Sequence, residues 1–115
     1  MIERKIINWL ISRGFDAYSN VPNPRPARFV SVDLTGGGAS DLVTNALITI
    51  DVWALSRGDA ATDADAIYRA FLHDSRRGRI PGAGRVDVNA SPYWQPDPDS
   101  RTPRYRMVLE VAHTS

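Results

Sequence analysis

Residues 28–55 read RFVSVDLTGGGASDLVTNALITIDVWAL, and this stretch decides the fold. Two runs rich in valine, isoleucine and leucine flank a cluster of glycines, which is typical of a β-hairpin with a flexible connection. In the second run the apolar residues Ile48, Ile50 and Val52 alternate with residues of the opposite face. A period of two is typical of a strand that buries one face. One face of the hairpin therefore needs a cover, and the other tolerates water or a partner.

The segments around the hairpin predict two amphipathic helices. Apolar residues recur at helical spacing over residues 1–13, and Gly14 is placed to end that helix. Ser56 and Asp59 form the capping pattern of a second helix, which we expect to run to about His73. The apolar positions are Ile2, Ile6, Ile7, Leu10 and Ile11 in the first helix, and Ala60, Ala64, Ile67 and Phe71 in the second.

Two further strands complete the predicted sheet. Apolar residues alternate over residues 86–90 and again over residues 104–111. The segment between them, SPYWQPDPDSRTPR, is predicted as a long proline-rich loop with exposed aromatic residues, and VPNPRPA before the hairpin as an extended connector. The element order is αββαββ. We expect one α+β domain over residues 1–115, with an antiparallel four-stranded sheet and two helices packed on one face.

Composition excludes several classes of protein. At 115 residues the chain has the size of one domain, and its net charge of +1 argues against a dedicated nucleic-acid binder. The absence of cysteine excludes disulfides and thiolate metal sites. No apolar run approaches the roughly 18 residues that span a bilayer, so we expect no membrane partner. Glu3 and Arg4 lie inside the first helical pattern, which does not resemble a signal peptide.

The motifs that suggest chemistry each have a simpler structural explanation. Gly36, Gly37 and Gly38 could cradle a phosphate, but a β-branched strand follows them, where a phosphate loop needs a helix N-terminus. The two histidines, His73 and His113, have no second ligand at helical spacing. The acidic residues that could suggest a site are Asp59, Asp63 and Asp65, early in the second helix where they stabilise its dipole, and Asp97 and Asp99, in the proline-bounded turn PDPD. We therefore predict no catalytic residues, no cofactor and no metal site.

Arginine is the distinctive residue of the C-terminal half. Thirteen of the fourteen basic residues are arginine, and seven of them lie close together in the sequence: Arg76, Arg77, Arg79, Arg85, Arg101, Arg104 and Arg106. With Tyr93 and Trp94 nearby, such a basic surface could bind nucleic acid through phosphates and stacking. The same residue types are enriched at the energetic centres of protein interfaces. We prefer the second interpretation, in which a repeating subunit pairs with its neighbour.

The sequence motifs and their order along the chain resemble those of a known family. The connector leading into RFVSVDLTGGG, the strand ending IDVWALS, the alanine-rich helix and SPYWQPDPDSRTPRYRMVLEV together resemble the tail terminator proteins of long-tailed bacteriophages, particularly those of actinobacteria. The likeness covers nearly the whole chain, and none of its motifs is catalytic. Other small proteins of the head-tail junction share this size and composition.

The resemblance implies a structural virion protein made in the host bacterial cytoplasm. Such a protein assembles as a homo-oligomeric ring, six-fold in known relatives, at the head-proximal end of the tail tube. Its expected partners are the tail tube protein and a head-side connector or stopper protein, with DNA passing through the lumen. We expect the glycine hairpin and the proline-rich loop to make these contacts, and the candidate residues are Gly36, Gly37, Gly38, Tyr93, Trp94, Arg101, Arg104 and Arg106.

Overall fold

The structure is a computed structural model that describes residues 2–39, 43–80 and 85–114. It confirms an α+β fold with two helices and one sheet. The elements are α1 Ile2–Ser12, β1 Ala17–Tyr18, β2 Phe29–Ala39, β3 Val43–Trp53, α2 Arg57–Arg76, β4 Arg85–Trp94 and β5 Arg104–Thr114. Within the described part of the chain, no helix is long and apolar enough to cross a membrane.

The sheet has five strands and mixed pairing, so the prediction of four antiparallel strands in the order αββαββ was wrong in detail. The spatial order is β1-β2-β3-β5-β4, and β1 pairs parallel with β2 through Ala17 and Tyr18. All the other neighbours are antiparallel. A two-residue strand shows no periodicity in the sequence, because alternation needs at least four residues to be visible.

The core lies on one face of this sheet. The predicted alternation in β3 is confirmed, and residues of β2 and β5 on the same face are buried with it: Val30, Val32, Ile48, Ile50, Val52, Met107, Leu109 and Val111 are each at most 2 % exposed. Both helices contribute to the same cluster, α1 through Ile6 and Leu10 and α2 through Ile67 and Phe71. Burying side chains of this size is the main favourable term in folding.

Helix α1 ends as its sequence predicts. Gly14 has a φ of 92°, its N–H donates to Ile11 O at 3.0 Å, and the next N–H, of Phe15, donates to Leu10 O at 3.1 Å. This pair of bonds is the Schellman motif, which places glycine at the left-handed position. The predicted buried stripe was wrong at one position. Ile11 is 52 % exposed, whereas Trp9 is buried and only 4 % exposed.

Helix α2 begins as predicted and ends later. The Ser56 hydroxyl accepts from the Asp59 N–H at 3.1 Å, which satisfies one free donor of the first turn. The predicted apolar stripe is buried throughout. The helix continues to Arg76, beyond the expected end at His73, and the extra turn buries Asp74.

The glycine cluster lies within a strand, so its prediction as a flexible hairpin tip was wrong. Gly36, Gly37 and Gly38 belong to β2 and pair with Leu47, Ala46 and Asn45 of β3, after a bulge at Thr35. Residues 40–42, which connect β2 to β3, lie outside the described residues. Glycine weakens a strand but does not forbid one, and here ten residue pairs hold the two strands together.

Strand β4 is also longer than predicted. It extends through Tyr93 and Trp94, which the sequence had placed in the proline-rich loop. The ladder to β5 is irregular around Asn89 and again before Tyr93. Because β4 lies at the edge of the sheet, Pro92 can occupy it without removing a hydrogen bond from an interior ladder. The loop that remains is residues 95–103.

A buried carboxylate joins the two helices. Asp74 is 4 % exposed and accepts hydrogen bonds from Trp9 Nε1 at 2.7 Å and from Arg13 Nε at 2.9 Å, with a second contact from the Arg13 guanidinium. His73 Nδ1 lies 3.0 Å from the same group. The Arg13 hydrogen bonds, and after them those of His73 and Trp9, hold the pKa of Asp74 far below its usual range against the opposing effect of burial.

We expect Asp74→Asn to lower the free energy of unfolding by about 2 kcal/mol, because the amide directs a donor at the buried donors of Trp9 and Arg13. Urea titration followed by circular dichroism measures the change. Asp65→Asn is the matched control, since Asp65 and Arg69 form an exposed pair within α2 and should contribute less than about 0.5 kcal/mol. Equal losses in the two variants would contradict the role of Asp74.

The depressed pKa of Asp74 also predicts a loss of stability in acid. The folded state keeps this carboxylate charged, whereas the unfolded chain protonates it near its ordinary pKa of about 4. The contribution is therefore complete above that value and is lost as the pH falls from about 5 towards 1. The fall in unfolding free energy of the wild-type protein over this range should be steeper than that of Asp74→Asn. Parallel pH profiles of the two proteins would exclude Asp74 as a cause.

Candidate assembly surface

The face of the sheet opposite the helices, named here the open face, carries the polar residues that alternate with the core. Four rows cross it from β2 to β4. They are Ser31, Asp51, Arg106 and Tyr93; Asp33, Thr49, Val108 and Ala90; Gly36, Leu47, Glu110 and Asp87; and Gly38, Asn45, Ala112 and Arg85. The end of the sheet at Phe29, Trp53 and Arg104 is named the base, and the end at the Gly38 row the far end. No described helix packs on the open face.

An aromatic and arginine stack closes the base of the open face. Phe29 and Trp53 pair across β2 and β3 with ring centroids 5.3 Å apart and planes 9° from parallel. The Arg104 guanidinium lies 4.8 Å from the Trp53 ring and that of Arg25 lies 5.2 Å from it. Trp53 is only 3 % exposed, although it lies opposite the helices. The proline-rich connector that carries Arg25 therefore covers the base.

Asp51 binds Arg106 of its own row and lies close to Arg104 of the base. Arg106 donates from Nε to Asp51 Oδ1 at 2.8 Å and from Nη2 to Asp51 Oδ2 at 3.1 Å, and Arg104 Nη1 lies 3.9 Å from Asp51 Oδ2. The hydrogen bond to Asp51 raises the pKa of Arg106 above its usual value. Arg104 additionally donates from Nε to Gln95 O at 2.8 Å. Two of the predicted interface arginines are thus engaged inside the subunit.

The loop of residues 95–103 is a compact turn built around Asp97. The Asp97 carboxylate accepts from the Ser100 N–H at 3.1 Å and from the Ser100 hydroxyl, and these bonds lower the pKa of Asp97. Arg25 donates to Ser100 Oγ at 2.9 Å, which ties the connector to the loop. Arg101 is exposed, with a φ of 58° in the left-handed region. The predicted proline-bounded turn fits this geometry, and Pro98, Asp99, Ser100 and Arg101 are all exposed.

The arginines of the C-terminal half do not form one surface. Arg57, at the start of α2, lies over the Trp94 ring at 4.4 Å and donates to the Tyr105 hydroxyl at 3.3 Å, so the helix begins near the base. Twenty residues of helix extend about 30 Å. Arg76, at the other end of α2, therefore lies roughly that distance from Arg57.

The predicted contact residues separate into two groups. Gly36, Tyr93 and Arg101 are exposed, and Gly37 and Gly38 continue the edge strand beyond Gly36. Arg104 is buried, with 8 % exposure, and Arg106 is bound to Asp51. Trp94 packs edge-on against Tyr105, with ring centroids 5.4 Å apart. These last three side chains support the fold. The prediction missed Phe29, Trp53 and Asp51. The sequence indicated two of them, because Asp51 and Trp53 alternate with the core residues of the largely apolar strand β3.

The structure offers little to a small molecule or a metal ion. An open pocket of about 260 Å³ between the end of α1 and the start of β2 is lined by Arg28 and Asp63, which bind each other at 2.7 and 2.9 Å. A second open pocket of about 300 Å³, lined by Arg4 and residues 17–22, only reaches the lower limit of the size of ligand sites. Among the described residues, no three histidine, aspartate or glutamate side chains are grouped as a metal site would need. The exposed strands and loops offer more extensive surfaces than these pockets.

Comparison with known proteins gives no assignment. A scan against models of known protein families finds no match, and a search of the curated proteins finds none either.

A double-mutant cycle on Asp51 and Arg106 should show a coupling energy of about 1.5–3 kcal/mol, because their two hydrogen bonds are charge-assisted and partly buried. Chemical unfolding of Asp51→Ala, Arg106→Ala and the double variant measures it. The corresponding cycle on the exposed pair Asp65 and Arg69 should give about 0.3–0.5 kcal/mol. A coupling at Asp51 no larger than in this control would mean that the open face is not held by this pair.

Proposed function

We propose that this chain is a tail-terminator-like subunit of a phage head-tail junction. In this proposal it forms a ring, six-fold as in the family it resembles, on the head-proximal end of the tail tube. The ring stops tube polymerisation and offers a docking surface to a head-side connector or stopper protein, and DNA passes through its lumen. The subunit is made in the bacterial cytoplasm and is incorporated into the virion.

The observation that supports the proposal best is that the sheet is long and covered by helices on one face only. β3 pairs with β5 over eleven residues, and the molecule measures 42 × 26 × 23 Å. β2, beyond its two-residue pairing with β1, and the outer strand β4 both carry exposed residues. A ring needs two different surfaces on each subunit whose repetition closes, and two unlike sheet edges are such a pair. The resemblance in sequence points to the same kind of assembly.

The alternative functions have weaker support. A nucleic-acid-binding module would use the basic surface of residues 76–106, but Arg104 and Arg106 are bound to Asp51 within the subunit. A binder would also be expected to carry more than the net charge of +1. Another head-tail junction protein remains the second candidate, and it differs from a terminator in its effect on tube growth.

We expect purified protein added to polymerising tail tube protein to arrest elongation and leave a ring on one end of each tube, visible by negative-stain electron microscopy. A different junction protein would form rings without arresting growth. A chain that leaves tube growth unchanged and binds duplex DNA with an affinity that falls steeply with salt would overturn the proposal in favour of the nucleic-acid module.

The variant Arg101→Gly tests the contact made by the 95–103 loop. Glycine adopts the left-handed backbone conformation of Arg101 without strain, so the fold is retained while the side chain is removed. We expect about tenfold weaker tube capping, the effect typical of an interface arginine. Arg69→Ala, on the exposed side of α2, is the control and should cap normally. Unchanged capping by Arg101→Gly would remove this residue from the interface.

A further inference from the structure

We propose that neighbouring copies pair edge to edge, with β2 of one copy lying antiparallel to β4 of the next and Leu34 packed against Val88 of that copy. The inference rests on the proposed ring, and it names the surfaces that build it. The sheet would then continue from one subunit into the next. Because the two edges are different, each copy uses one edge on each side, as a ring requires.

Both edges are exposed over the same part of the sheet. β1 covers β2 only at Val30 and Ser31, and from Asp33 to Gly36 the β2 edge is exposed, with no neighbouring strand among the described residues. β4 pairs regularly with β5 from Arg85 to Val88, and its irregular part begins beyond Val88. The regular part of β4 therefore lies at the same height as the uncovered part of β2. A strand edge with unpaired backbone groups is a template for another chain.

The apolar residues of the two edges match in position. Leu34 pairs with Ile48, Ile48 with Leu109, and Leu109 with Val88, so Leu34 and Val88 are the two ends of one row on the helix-covered face. The middle of the row is at most 1 % exposed, whereas Leu34 is 43 % and Val88 is 36 % exposed. A copy placed beside the β2 edge at the same height brings its Val88 against Leu34. The apolar row is then continuous across the boundary.

The direction of the strands suits this pairing. β2 and β5 run one way and β3 and β4 run the other. A copy rotated about an axis along the strands keeps these directions, so its β4 lies antiparallel to β2. Because the matching residues lie in one row, the copies need rotation but no rise along that axis. An arrangement without rise can close into a ring, whereas one with a rise makes a filament.

This arrangement would explain why β2 contains three consecutive glycines. Gly36 does not need to be glycine for the subunit's own fold, because its φ is not left-handed and an added Cβ would meet Leu47 Cδ1 at 3.4 Å, an ordinary contact. Gly36, Gly37 and Gly38 share rows with Asp87, Val86 and Arg85, so these β4 residues of the next copy would lie against them. Glycine in a strand often marks a place where another backbone approaches closely.

Charges do not oppose the contact. The exposed Asp33 shares its row with Ala90, and Asp87 shares its row with Gly36. Each carboxylate of one edge would therefore face an uncharged residue of the next copy. Like charges placed directly opposite would have been destabilising.

Cross-linking tests the pairing directly, because the chain contains no cysteine. Leu34→Cys/Val88→Cys places one thiol on each edge, roughly 14 Å apart within a copy across three strand spacings, which is too far for an internal disulfide. Under mild oxidation we expect a ladder of covalent oligomers that ends at the ring size on a non-reducing gel. Each single variant should stay uncross-linked, and an equal mixture of the two should stop at dimers.

The control pair is Ile11→Cys/Leu55→Cys, at two exposed positions outside both edges, which should remain uncross-linked. Disulfide dimers of Leu34→Cys alone would overturn the proposal in favour of like-with-like edge contacts. Intact wild-type rings without cross-linking of the double variant would also overturn it, and the ring would then be built through other surfaces. Cross-linked rings that do not cap tubes would leave the edge pairing standing and overturn the tail-terminator function.

Discussion

The structure depends on one constraint, which is that the sheet buries a single face. The buried aliphatic residues of β2, β3 and β5 point to the side where α1 and α2 pack, and the core forms there as one cluster. Hydrophobic burial supplies most of the stability, but it does not determine how the two helices lie against each other. That position is set by Asp74, which binds Trp9 and Arg13 across the helix pair. A buried carboxylate with three donors tolerates little displacement of either helix.

The other face of the sheet is organised by charge and aromatic stacking. The Asp51 to Arg106 pair and the stack of Phe29, Trp53 and Arg104 fill its base, and the connector covers the stack through Arg25. These contacts brace the base, while the β2 edge from Asp33 to Gly36 and the β4 edge around Val88 are exposed. In the proposed ring, such a subunit contacts its neighbours through its two strand edges and presents the 95–103 loop at one end. That division fits a ring whose copies meet side by side and whose end meets a different protein.

Much of this fold was predictable because its signals are local. The period of two in ITIDV, the Ser56 cap and Gly14 each depend on neighbouring residues, and all three predictions are confirmed. The errors arose where the local structure depends on contacts between residues that are distant in the sequence. β1 exists because Ala17 and Tyr18 find the edge of β2, and the glycines remain in a strand because β3 holds them. Likewise, the sequence does not indicate a special role for Asp74, because its partner Arg13 lies 61 positions away.

The candidate surface was less predictable than the fold. The exposed arginines could not be separated from the engaged ones, because the sequence does not show that Asp51 lies beside Arg106. The edges were equally hidden, since the exposure of Leu34 and Val88 follows from the strand order and not from their residue types.

Electron cryo-microscopy of the purified protein tests the central claim most directly. The account predicts a closed ring of one fixed subunit number, with density for β2 of each copy continuous with β4 of the next. Particles that remain monomeric at all concentrations, or rings in which both edges face solvent, would contradict it.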